Sequence, residues 1–138
     1  NHKKINLKVN DLEFKDGFAV NVGNPHIVFF VDDCLKYDLR KIGPLIENHE
    51  LFPEKVNVTF AQVKDTKNIL VNVWERGAGL TKACGTAACA TGVVAFEKKL
   101  TGNNTNIHFR DGFLNIKYNG IISMTGPVSN IKEININL

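Results

Sequence analysis

The sequence predicts an α+β fold: a curved, largely antiparallel β-sheet wrapped around one central, buried helix. Three observations carry this expectation. Most of the chain reads as short β-branched segments between turn residues. One stretch, AACATGVVAF (87–96), is small or apolar on every side, which marks a helix enclosed by protein. The length of 138 residues, 43% of them hydrophobic, suits one domain with its own core, spanning 1–138.

The elements run in order along the chain. KINLKV (4–9) alternates, as a half-buried strand does. GFAVNVG (17–23) and HIVFFVDD (26–33) are strands on either side of a Gly23-Asn24-Pro25 turn. DLRKIGPLIENH (38–49) has helical spacing, and Gly43-Pro44 is expected to interrupt it. KVNVTFAQVK (55–64) and NILVNVWER (68–76) flank Asp65-Thr66-Lys67, a hairpin signal. The buried helix comes next, and Lys98 and Lys99 mark its emerging C-terminus, where positive charge suits the dipole. TNIHFRD (105–111) and GFLNIKY (112–118) meet at Asp111-Gly112. Asn119-Gly120 leads into IISMTG (121–126), and KEININL (132–138) closes the chain.

Composition narrows the function. The net charge is +3 and the lysines are scattered, without the basic stripe and interleaved aromatics of a nucleic-acid binder. No apolar run approaches a membrane span and no signal-peptide pattern opens the chain, so neither nucleic acid nor membrane is an expected partner. Cys34, Cys84 and Cys89 are odd in number and irregularly spaced, a poor disulfide framework that favours a reducing cytoplasm. Cys84 and Cys89 stand five apart, unlike a zinc-binding pair, and no metal is expected. The only methionine is Met124, so the chain is expected to come from a larger or processed product.

The stretch WERGAGLTKACGTAACATGVVAF (74–96) carries the chemistry. Cys84 falls at the first turn of the buried helix, where the positive end of the macrodipole favours a thiolate. The amides of Gly85 and Thr86 are free donors of the helix start and suit an anion such as a carboxylate. Glu75 and Arg76 lie just before, and Gly77 and Gly79 permit a sharp return toward Cys84. A Glu near a thiol can modulate its proton affinity, and the two charged residues can hold a substrate ammonium or carboxylate. Cys34 and Cys89 read as packing residues. His26, entering an apolar strand, reads on its own as a core histidine, and Asn57 within KVNVTF as an outward-facing residue. His2, His49 and His108 show no partner pattern.

Taken together, Gly-Asn-Pro-His, the later Asn57, and Glu-Arg-Gly-Ala-Gly followed by Ala-Cys-Gly-Thr resemble the diaminopimelate epimerases, over about Val20 to Pro127. The resemblance implies a cofactor-independent amino-acid racemase fold of two pseudo-symmetric halves, of which this chain is the C-terminal one. It implies interconversion of LL- and meso-diaminopimelate, a lysine and peptidoglycan precursor, with a small amino acid as substrate and no cofactor. It assigns Cys84 as one of two catalytic cysteines, Glu75 as the carboxylate assisting it, and His26 as the histidine assisting the other. Asn24, Asn57, Glu75 and Arg76 match residues that hold the substrate's amino and carboxylate groups, and Gly85 and Thr86 match backbone donors to the carboxylate.

The chain departs from the family pattern in three places. Ala87 stands where the family usually has Gly, and Lys132 aligns with a tyrosine implicated in a homodimer contact. The half carrying the second cysteine, in a Cys-Gly-Asn motif, is not in these residues, and Cys34 has no Gly after it. The segment from about 127 to 138 is expected to pack on that missing domain. Two other readings stand beside this one: a proline- or hydroxyproline-type racemase of the same fold, and a non-catalytic binding module. A cysteine-nucleophile hydrolase is disfavoured because no histidine lies near Cys84 along the sequence.

Overall fold

A computed structural model describes residues 2–9, 11–81, 84–110, 112–126 and 134–137. Their strands are β1 (His2–Val9), β2 (Leu12–Asn21), β3 (Pro25–Phe30), β4 (Asn57–Asp65) and β5 (Asn68–Glu75), then β6 (Gly79–Thr81), β7 (Asn104–Phe109), β8 (Gly112–Tyr118), β9 (Ile121–Thr125) and β10 (Ile134–Asn137). The helices are α1 (Leu39–Glu47) and α2 (Gly85–Glu97). All the strands join one sheet in the order β1-β2-β3-β4-β5-β7-β8-β9-β10, with β6 paired to β5. The β3–β4 and β5–β7 pairings are parallel and the others antiparallel, as the sequence led us to expect of most of the sheet.

Each parallel pair needs a crossover, and each crossover is a helix: α1 between β3 and β4, α2 between β5 and β7. The hairpin between β4 and β5 reverses the chain direction between the two units. Crossovers of one hand then put their helices on opposite faces of the sheet. The core divides accordingly. Val28, Ala61, Ile69, Val71 and Val73 face α2, whereas Ile27, Phe29, Val58 and Phe60 face α1. Alternation along β3, β4 and β5 serves both faces at once.

β2 serves both faces by a different device. Its register against β1 shifts between Ile5 and Leu7, so that Lys15 and Asp16 stand opposite Asn6 alone. Asp16 takes φ 59°, and its N–H donates to Asn6 Oδ1 at 2.9 Å. The extra residue inverts the facing of the rest of the strand: Phe14 belongs to the α1 side and Phe18 to the α2 side.

Residues 87–95 of α2 are all buried. Its small side chains let the sheet close around it. A Cβ on Gly92 would lie 2.8 Å from Ile116 Cγ2 of β8. Burial of Val93 and Val94 contributes about 1.5–3 kcal/mol each relative to exposure.

α1 corrects one expectation. It runs without a break from Leu39 to Glu47, with Pro44 inside it. Proline removes one helical donor, but Leu39, Ile42 and Ile46 are buried on one stripe, and that packing outweighs the lost bond. Asp38 caps the N-terminus by accepting from the Arg40 N–H, and Asn48 closes the C-terminus by donating from Nδ2 to the Pro44 carbonyl at 2.8 Å. Residues 134–137 border β9 as the last strand of the sheet. Pro127 and Lys132 lie outside the described residues. Among those that are described, no helix is long and apolar enough to cross a membrane.

Candidate active site

Four segments meet at one end of the sheet. β3 and β4 are parallel and begin there, His26 standing in register with Asn57. β5 runs the other way and ends there at Glu75, and α2 starts there at Cys84. Topology alone thus gathers Asn24, His26, Asn57, Glu75, Arg76 and Cys84.

Cys84 is the N-cap of α2, in extended conformation, and its side chain makes no capping hydrogen bond. The thiol occupies the place a Ser or Asp would fill, beside the donors of the first turn. Gly85 leaves room for Met124 of β9, whose Cε would be 3.0 Å from a Cβ there. Ala87 is fully buried within the same turn.

The Thr86 hydroxyl is the hub. Its Oγ1 lies 3.5 Å from Cys84 Sγ, 3.1 Å from His26 Nε2 and 3.4 Å from Asn24 Nδ2. His26 Nε2 is also 3.1 Å from Asn24 Oδ1. One assignment uses each group once: His26 Nε2–H donates to Asn24 Oδ1, Asn24 Nδ2 donates to Thr86 Oγ1, and the hydroxyl proton is left for the sulfur. Nδ1 is then the acceptor nitrogen; it is buried and has no partner among the described residues. Burial, reinforced by the Arg76 guanidinium, holds the His26 pKa down at about 4. The ring is therefore neutral near pH 7 and can accept a proton at Nδ1 or move one, but it does not supply a fixed charge.

Asn57 is buried, not outward-facing. Its Nδ2 donates to the Pro25 carbonyl at 2.9 Å, and its Oδ1 accepts from the Arg76 N–H at 2.7 Å. It ties the Asn-Pro-His segment to the Glu-Arg-Gly turn, and its second amide proton has no partner among the described residues. Arg76 is exposed and donates from Nη1 to the Glu54 carbonyl at 3.2 Å. Glu75 is half-buried, and among the described residues it makes no hydrogen bond to Cys84. The expected return is present: Gly77 and Gly79 take φ 75° and 87°, and β6 pairs back on β5 with Gly79 opposite Glu75.

The other two cysteines are fully buried. Burial pushes the Cys34 thiol up to about 11 and the Cys89 thiol up to about 12. His108 Nε2 meets Asn68 Oδ1 at 2.8 Å and His49 Nδ1 accepts from the Leu51 N–H, so each serves local structure. The structure brings together Asn24, His26, Thr86 and Cys84 by direct contact and joins Asn57 to Arg76. A histidine does reach the neighbourhood of Cys84, through Thr86, which removes the argument made against a cysteine nucleophile from sequence distance. Glu47, whose carboxylate holds the Trp74–Gly77 turn, carried no signal in the sequence beyond its place on a helix.

Comparisons with known proteins agree on the family. The family model described as diaminopimelate epimerase matches residues 18–131. A diaminopimelate epimerase of Pelagibacter ubique (strain HTCC1062) is 58% identical over 131 residues, covering 94% of this chain and 48% of that protein. One from Wolbachia sp. subsp. Drosophila simulans (strain wRi) is 46% identical over 128 residues, covering 92% and 47%. Among solved structures, a phenazine biosynthesis protein of the PhzF family from Enterococcus faecalis is similar with a TM-score of 0.55 at 14% identity, over 78% of this chain and 42% of that one. The Bacillus anthracis protein of that family gives 0.54 at 17% identity, over 90% and 38%. These two likenesses concern the fold alone. The chain spans about half the length of the curated relatives it matches. With its Asn-Pro-His segment, Asn57, Glu-Arg-Gly turn and Cys-Gly-Thr helix start at one end of one sheet, the chain belongs to the diaminopimelate epimerase family.

Proposed function

We propose that the full-length protein containing this chain is a cofactor-independent diaminopimelate epimerase working by two cysteine bases, and that residues 1–138 are its C-terminal half. The observation that carries this is Cys84 at the start of an enclosed helix, linked through the Thr86 hydroxyl to a neutral His26. One thiolate takes the α-proton, and the opposite thiol returns a proton to the other face of the carbon. Each turnover leaves one thiol and one thiolate exchanged. The amides of Gly85 and Thr86 receive the charge that builds on the carboxylate in the carbanion-like transition state. Glu75 assists Cys84, and His26 assists the cysteine of the other half. Asn24, Asn57, Glu75 and Arg76 hold the substrate's ammonium and carboxylate groups, Asn57 through its remaining amide proton.

The partners implied are the N-terminal domain, against which residues from about 127 to 138 pack, and a second copy in a homodimer. Three free thiols suit a reducing cytoplasm. The test is the purified full-length protein, free of pyridoxal phosphate, offered LL-diaminopimelate, proline and hydroxyproline. Conversion of LL- to meso-diaminopimelate alone supports the reading. Racemisation of proline instead, or no turnover of any of them, defeats it.

A further inference from the structure

We infer that Glu47 is a positioning residue: from α1 it fixes the turn that presents Glu75 and Arg76 to substrate. The inference rests on the proposed roles of those two residues and adds the part that holds them in place.

Glu47 is the one buried acidic side chain among the described residues, at 7% exposure. It has no basic partner there. Its carboxylate instead takes two N–H donors from the far side of the turn. Oε1 accepts from Trp74 Nε1 at 2.9 Å, and Oε2 accepts from the Gly77 N–H at 3.1 Å. The neighbouring N–H, that of Arg76, is held by Asn57 Oδ1. Consecutive backbone donors of the Glu-Arg-Gly turn are thus fixed by buried side chains from two different elements. The turn's own bond, from the Ala78 N–H to the Glu75 carbonyl at 3.1 Å, closes around these two held donors.

The seat for Trp74 is shaped to match. Gly43 lies one helical turn before Glu47, on the same face of α1. A Cβ there would strike Trp74 Cγ and Cδ2, so only glycine lets the indole lie against the helix. On the other side, a Cβ on Gly79 would sit 3.5 Å from Trp74 Cη2. The indole is wedged between helix and turn, with its N–H directed at Glu47. Burying a carboxylate without a counter-charge costs more than burying an apolar side chain of the same size. Its two charge-assisted hydrogen bonds offset that cost only while the turn stays where it is.

The experiment compares the full-length wild type with Glu47→Met, Glu47→Gln and Trp74→Phe. Glu47→Met removes both acceptors at similar volume and is expected to raise KM for diaminopimelate roughly tenfold to a hundredfold, with a smaller change in kcat. Glu47→Gln keeps one acceptor oxygen and is expected to fall between Met and wild type, as is Trp74→Phe. Iodoacetamide labelling of buried Cys34 and Cys89 is expected to stay as slow as in wild type. A Glu47→Met enzyme within twofold of wild type in kcat/KM overturns the inference. So does a loss in kcat alone, or a loss accompanied by faster labelling of Cys34 and Cys89, which marks general loosening. Should Glu47→Met fail to fold, Glu47→Gln is held to the same criteria. Amide exchange at Gly77 reads the clamp without turnover: it should accelerate in the variants, and unchanged exchange refutes it. If wild type fails to turn over diaminopimelate, the proposed function falls while this exchange readout still decides on Glu47.

Discussion

Cys84, Cys34 and Cys89 are one side chain in three settings. Cys34 and Cys89 are sealed in the core, with thiols pushed up to about 11 and about 12, whereas Cys84 is at the mouth of a helix and 8% exposed. Iodoacetamide at pH 8 is therefore expected to alkylate Cys84 first and spare the others on the same timescale. Peptide mass spectrometry reads this directly, and comparable rates at all three would contradict it. His26 makes a second measurable claim. Its pKa is about 4 in the fold against an ordinary 6.5, so between those values the unfolded chain holds a proton that the folded chain does not. Its contribution to stability is complete above pH 6.5 and is lost as pH falls toward 4. Between pH 7 and pH 5 the loss amounts to about 2 kcal/mol. His26→Gln should flatten the pH dependence of the urea-unfolding free energy by that amount, and an unchanged slope would refute the assignment. The residue types of the site were legible as a pattern, but their contacts were not. His26 and Thr86 are 60 apart in the chain, and nothing local to either announces the shared hydroxyl. Asn57 read locally as a strand residue facing water; it is buried because it bonds two loops that no local pattern relates to it.

At the level of elements, turn chemistry was the readable signal. Asp65-Thr66-Lys67, Asn119-Gly120 and Gly23-Asn24-Pro25 each separate strands as expected. The enclosed helix was readable because no side of it is polar. Strand neighbours were not readable: alternation tells which face a residue takes but not which strand lies beside it, so the β3–β4 and β5–β7 parallel pairings went unforeseen. Pro44 misled for a related reason, since the cost of a missing donor is local and the packing that outweighs it is not. The approach of α2 to β8 offers a test of scale. Gly92→Ala gains about 1 kcal/mol of helix propensity but drives a methyl to 2.8 Å from Ile116 Cγ2. Overpacking of this kind costs about 1–3 kcal/mol. A net loss of up to about 2 kcal/mol in urea unfolding is expected. A stabilised variant would show that the helix and sheet are further apart than described.

Over the whole molecule, one sheet serves two cores because the crossovers lie on opposite faces, and the same strand directions bring the functional segments to one end. That end is lined by Cys84, the hub at Thr86 and the Glu-Arg-Gly turn, and among the described residues Cys84 is the one cysteine there. The chain's half-length match to its relatives fits a site completed by a second half. Residues 1–138 alone are accordingly expected to show no epimerase activity, and conversion by the isolated chain would contradict a shared site. The most direct test of the central claim tracks the α-carbon itself. Full-length protein is incubated with LL-diaminopimelate in D2O, and the meso product is analysed by mass spectrometry and NMR. The expected result is one deuterium at the inverted α-carbon per turnover, with formation of meso product abolished in Cys84→Ala while the fold is retained. Inversion that persists in Cys84→Ala, or that leaves the α-hydrogen unexchanged with solvent, would contradict it.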